Sequence, residues 1–150
     1  MKLTHKIEIA ILLTTTILQA GSIAQEKIQA LNTLKTYSKT TACGTNFDDP
    51  DYNTQDYLKN VFLIDRDPSV GSATYYILWQ GDLGCMGGNG STASIVSKVS
   101  RSDYDRLFLL QNNNAFGKVF YDHVVGTIDS MQQINSRKFV VFSSKLGKNG

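Results

Sequence analysis

The side chains with most chemical potential here are two cysteines, Cys43 and Cys85, and His123 in the C-terminal third. A thiolate–imidazole pair needs a free cysteine of lowered pKa beside the histidine. Pairing of the two cysteines with each other removes that option. Asp122 precedes His123, but neighbours on a strand point to opposite faces, so adjacency makes no dyad. No serine lies in a nucleophile elbow. The catalytic arrangement left open is a small hydrolase site assembled from distant residues, with His123 served by a carboxylate such as Asp82 or Asp122. Catalysis is therefore the second reading, behind a non-catalytic role.

Asp49, Asp51, Asn53 and Gln55 are spaced two apart, as oxygen ligands are in a calcium loop. Thr54 stands where the sharp turn needs glycine, and Asn60 where a bidentate glutamate belongs. A solvated loop, or a short helix begun by Pro50, is the simpler expectation, and a calcium or small-ligand module is the third reading. Neither cysteine has a histidine or second cysteine at ligand spacing, so no metal site is expected there. No cofactor is expected.

The connection 81–91 holds five glycines and Cys85. Phosphate-cradling loops place a helix directly after the glycines, so that amides and the helix dipole face the anion. Here residues 92–99 are β-prone, and the loop lacks a closing Gly-Lys-Ser/Thr. A long hairpin connection anchored by Cys85 fits better. Its polar groups, Asp82 and Asn89, and Trp79 at the end of the preceding strand are the candidate binding residues. Trp79 has the competing role of core filler, the usual place for a tryptophan.

Positioning these residues requires a strand over 74–80. Tyr75, Ile77 and Trp79 form one face and Tyr76 and Leu78 the other, so the strand is expected inside a sheet covered on both sides. Residues 25–37 predict a helix, with Ile28, Leu31, Leu34 and Tyr37 in one row and Glu26, Lys27, Gln29, Asn32 and Lys35 outside it. Residues 61–64 predict a strand closed by the Asp65–Pro68 turn. Residues 103–111 suggest a helical turn, with Tyr104, Leu107, Phe108 and Gln111 on one face, followed by extended chain. Residues 118–125 favour a strand over a helix. Residues 127–134 and 138–144 flank Asn135-Ser136-Arg137, a hairpin turn. The expected fold is α+β: an N-terminal helix packed on a mainly antiparallel sheet of five or six strands, with one disulfide.

The chain of 150 residues suits one domain, and 41% hydrophobic with 19% charged residues is ordinary for a globular protein. A formal charge of +2 without a basic stripe argues against nucleic-acid binding. Residues 1–24 read as a signal peptide: Lys2 and Lys6, an apolar run too short to span a bilayer, then Ser22-Ile23-Ala24 as the cleavage site. The exported domain is then 25–150, periplasmic or secreted, without stable membrane insertion. In that compartment Cys43 and Cys85 are expected to pair, restricting the unfolded chain by about 4 kcal/mol.

An acidic turn, a strand, a glycine-rich loop and a further strand is an order similar to that of small bacterial periplasmic β-meander proteins. A short N-terminal helix with a cysteine-stapled sheet is similar to exported inhibitor and immunity proteins. The functional expectation is a non-catalytic protein that binds a protein or cell-envelope partner through the glycine-rich connection.

Overall fold

The computed structural model describes residues 22–85, 92–117 and 127–144. Helix α1 spans Ile23–Thr41 and is capped by Ser22, whose Oγ accepts from Gln25 N at 3.2 Å. It ends where Ala42 turns extended, its N–H still donating to Ser38 O. It is longer at both ends than the apolar row predicts. The expected cleavage after Ala24 falls inside its first turn and would remove the cap.

A four-stranded antiparallel meander follows, β1 Val61–Asp67, β2 Ser72–Asp82, β3 Thr92–Arg101 and β4 Leu109–Asn112, in spatial order β1-β2-β3-β4. A separate two-stranded ribbon, β5 Thr127–Asn135 and β6 Lys138–Ser144, closes the described chain. Among the described residues, the expected single sheet of five or six strands is corrected to a sheet of four plus a ribbon of two. The predicted hairpin turn at Ser136-Arg137 is present, with Arg137 N donating to Asn135 Oδ1 at 2.9 Å. The turn predicted after Ile64 comes later, because β1 runs on to Asp67. Residues 103–106 make only a turn, and Leu107 points outward while Phe108 is buried. The strand expected over 118–125 lies outside the described residues.

The two-faced bulk of β2 decides the layering. Tyr75, Ile77 and Trp79 pack with Val99 and Ile95 of β3 against Ala30, Leu31 and Leu34 of α1. On the opposite face Leu78, Phe62 and Val96 pack against Ile128 and Met131 of the ribbon. Phe139 stands edge-on to Phe62 at 5.6 Å between ring centres. Ser94 ties the layers by bonding both N and O of Ile128, and Gln133 Nε2 donates to Leu63 O at 2.7 Å. The sheet is therefore sandwiched between a helix and a ribbon, and β2 is interior as its composition requires.

Gly71 closes the turn between β1 and β2 at φ 84°, and a Cβ there would meet the Tyr104 ring at 2.4 Å. The Tyr104 hydroxyl donates to Pro68 O at 2.7 Å, so the ring has little room to move. Gly71→Ala is expected to destabilise the fold by about 1–3 kcal/mol through the strained backbone and the clash. Urea melts check it, and a midpoint unchanged from wild type would show that this turn tolerates a side chain.

Candidate functional site

The sheet leaves the upper half of β2 without a strand neighbour on one side. Pairing of β1 with β2 begins at Val61 opposite Ile77, so residues 78–82 face the 43–60 arch instead. The arch docks at several points. Asn60 O accepts from Leu78 N at 3.0 Å, and Asn46 Oδ1 accepts from Gln80 N at 3.0 Å. Cys43 N donates to Asp82 O and Asp82 N donates to Gly44 O, both at 2.9 Å. The Cys43–Cys85 disulfide locks the top of this seam, with Cα atoms 5.3 Å apart. The expected covalent staple therefore joins the arch to the start of the glycine-rich connection.

Local chemistry shapes the arch. Thr45 caps a 3-10 turn over Asn46–Asp48, and Asn53 caps the short helix α2 Thr54–Leu58, each with a reciprocal aspartate. This is where the calcium-like spacing goes. Asp49 Oδ1 accepts from Asp51 N, and Asn53 Oδ1 accepts from Gln55 N and Asp56 N. The oxygens turn onto their own backbone rather than converge on a common point. Among the described residues no group of three or more His, Cys, Asp or Glu side chains is placed to hold a metal ion.

Asp82 sits at the mouth of the connection, where its Oδ1 accepts from Gly84 N at 3.0 Å and Cys85 N at 3.3 Å. These bonds and the disulfide hold Cys85 at φ 44°, a left-handed conformation unusual for a residue with a side chain. Leu83 beside it is half exposed. Below lies a shallow depression of about 540 Å³ bordered by Gly44, Thr45, Asp48, Gln80, Gly81 and Thr92. Asn89, and the His123 and Asp122 of the hydrolase reading, lie outside the described residues.

Trp79 does not present its ring to solvent; it is fully buried and belongs to the core. Its indole N–H donates to Ser97 Oγ at 2.8 Å, and Ser97 in turn donates to Asn113 Oδ1 at 2.7 Å. Asn113 Nδ2 donates to the Tyr37 hydroxyl at 3.1 Å. The ring stacks on Phe47 at 6.0 Å and 14°, and covers Gly81 so closely that a Cβ there would meet it at 2.5 Å. As a binding residue it is corrected to a support. It fixes Phe47 and Gly81, and through them the arch and the end of β2. Tyr57 completes this support, edge-on to Phe47 at 5.3 Å with its hydroxyl donating to Asn46 O at 2.6 Å. Burial, then the charges of Asp49 and Asp48, push the Tyr57 phenol upward, so it remains a hydrogen-bond donor.

A second depression was not foreseen. Between the arch and the start of β5 lies a cleft of about 300 Å³, with Asn46, Asp49, Tyr52, Asn60, Gln80 and Asp129 around it. Its residues come from three separate segments, the arch, β2 and β5, so no local motif marks it.

At the other end of α1 stands a buried charge. Glu26, assigned by pattern to the outer face of the helix, is 2% exposed. Arg66 grips it through Nε to Oε2 at 2.9 Å and Nη2 to Oε1 at 3.2 Å. Arg101 Nη2 donates to Oε1 at 3.0 Å and the Tyr75 hydroxyl to Oε2 at 3.1 Å. Burial alone would raise the carboxyl, but the Arg66 and Tyr75 hydrogen bonds and the two arginine charges outweigh it and hold it below its ordinary value. Burial and the Glu26 charge push the Tyr75 phenol far up, so it stays protonated. With every carboxylate contact made by the fold itself, this cluster is an anchor rather than a reactive site.

The class that emerges is a disulfide-stapled α+β protein built as helix, antiparallel meander and ribbon. No protein-family model, curated protein or solved structure matches the chain. No helix of the described residues is long and apolar enough to cross a membrane.

Proposed function

We propose that this chain is an exported, non-catalytic recognition protein. It meets a protein or cell-envelope partner through the 81–91 connection and the depression at its base. The observation that carries this reading is the disulfide at the point where the connection leaves β2. A glycine-rich segment tethered at its root to an inner strand starts from a defined origin, which lowers the ordering cost of binding. Export supplies the oxidising compartment that such a bridge needs. Half-exposed Leu83 adds an apolar contact at the root.

The test compares wild type with a chain in which residues 86–91 are replaced by a two-residue turn, leaving Cys85 and both strands intact. Binding of each to envelope fragments of the source cell is measured as a saturation curve. Wild type is expected to saturate, and the shortened chain to lose at least about tenfold in affinity, the scale of one well-made contact region. Equal curves for the two forms would end the assignment of recognition to this connection.

A further inference from the structure

We propose that the cleft between the 46–57 arch and β5 binds a neutral saccharide through one sugar ring. The assignment goes beyond the recognition reading and does not depend on it. It stands on a separate set of residues from the 86–91 tip.

The unused polar groups define the ligand. The side-chain amides of Asn60 and Gln80 and the Tyr52 hydroxyl have no hydrogen-bond partner among the described residues, and all three border the cleft. An amide carries donors and an acceptor side by side, which matches a hydroxyl or a pair of adjacent hydroxyls that both give and take hydrogen bonds. Of the three carboxylates, only Asp56 has both oxygens engaged by the fold. Asp56 accepts from Lys59 Nζ at 2.9 Å and from Asn53 N at 3.2 Å. Asp49 Oδ1 holds Asp51 N, and Asp129 Oδ1 accepts from Ser144 Oγ, both at 2.9 Å. The second oxygens of Asp49 and Asp129 remain as acceptors for sugar hydroxyls, and Lys59 pairs with Asp56. A polyol needs the mixed donors and acceptors that are present.

The cleft also has an aromatic wall. Tyr52 is 56% exposed, its ring centre 6.0 Å from that of Tyr57 at 34°. An exposed tyrosine face beside planar polar groups suits the C–H face of a sugar ring, whose hydroxyls then reach the amides around its edge. A volume of about 300 Å³ is at the small end for ligand sites and limits the occupant to a ring with its substituents. The walls are fixed before binding. Asn46 is held by Gln80 N and by the Tyr57 hydroxyl, and Asn60 by Leu78 N, so little ordering is required.

Trp79 is the single tryptophan of the chain and forms part of the cleft wall, so its emission reports occupancy. The full chain is titrated with maltotriose, with chitotriose and, separately, with spermidine. At least one trisaccharide is expected to give a saturable change with half-saturation at or below about 1 mM. Tyr52→Ala and Asn60→Ala are expected to weaken it at least about tenfold, with unchanged melting curves. Gln80→Glu, which keeps the volume, serves as a further variant should either of those lower the melting point. The chain shortened at 86–91 is expected to bind the sugar as wild type does. No saturation by either sugar up to about 10 mM would overturn the assignment. So would a response to spermidine alone, equal affinities in the variants, or loss of sugar binding in the shortened chain.

Discussion

Glu26→Ala is expected to destabilise this protein by about 3–5 kcal/mol, the range for removing one partner of a buried ion pair. The loss arises less from the vanished attraction than from what remains. The Arg66 and Arg101 side chains are only 17% and 8% exposed, and they would keep their charge with no carboxylate between them. The register explains why the cluster exists. Arg66 and Arg101 both pair with Ala73, one from each side, so the three residues form a row across the helix-facing side of the sheet. Ala73 is short and leaves the space above it to the carboxylate. Arg66 reaches that face because of a bulge in β1 between Leu63 and Asp65, which shifts the alternation by one residue. Arg101 is braced further, donating through Nε to Gly71 O at 2.9 Å and lying 4.7 Å from the centre of the Phe108 ring.

The same geometry sets the pH response. The carboxyl of Glu26 is held below its ordinary value in the folded state. Its contribution is therefore complete above the unfolded glutamate value of about 4.3 and fades as the pH falls through the lower, folded value. Urea midpoints taken from about pH 6 to pH 3 should show a component that Glu26→Gln removes. The triple change Glu26→Leu, Arg66→Met, Arg101→Met should recover much of what Glu26→Ala loses, since no charge is then left buried alone. If Glu26→Ala melts within about 1 kcal/mol of wild type, the cluster does not anchor α1.

The second large effect concerns the bridge. Cys43→Ser with Cys85→Ser should lower stability by about 4 kcal/mol, from the loop closed by a sequence separation of 42 residues. For a domain of this size that corresponds to a fall in Tm of about 10–20 °C. Treatment of the wild type with a reductant should give the same shift, while the double-serine form should not respond to it. Coincident melts for the oxidised wild type and the double-serine form would mean that the seam of hydrogen bonds around Asp82 holds the arch unaided. The bridge also supports function as proposed, because it positions the root of the 81–91 connection. Reduced protein should bind envelope more weakly even at temperatures where it remains folded.

Much of the architecture was legible in local pattern. The alternation of Tyr75, Ile77 and Trp79 with Tyr76 and Leu78 demanded two covered faces, and the helix and the ribbon supply them. The turn residues before Lys138 marked a hairpin that is present, and the β-prone run after Ser91 marked the return strand β3. Periodicity was less secure on α1. Leu31 and Leu34 face the sheet as expected, but the buried row also takes in Glu26, Ala30 and Ser38, while Ile28 is only half-buried. A charged residue at one end of an apolar stripe is normally solvated, so hydropathy alone turned Glu26 outward. The signal available was an arginine on each of two strands, which needs an acidic partner if it faces inward. The bulge that turns Arg66 inward has no distinct mark in the residues around it.

The candidate site divides in the same way. Cysteine count pointed to the bridge, and composition to a glycine-rich connection after β2, because both depend on residue type rather than on placement. Trp79 is different, since its ring fits equally well at a strand end or beneath a neighbour. Phe47, which covers it, is 32 positions away along the chain, as read from their numbers. The cleft is the extreme case, for Asn46, Tyr52, Asn60, Gln80 and Asp129 become neighbours only when β1 leaves half of β2 open to the arch. Residue type and short-range spacing decided which segments are helix, strand or turn and that the cysteines pair. Long-range pairing alone decided which polar groups are spent on the fold and which are left for a partner, because a hydrogen bond's availability depends on what the rest of the chain brings to it.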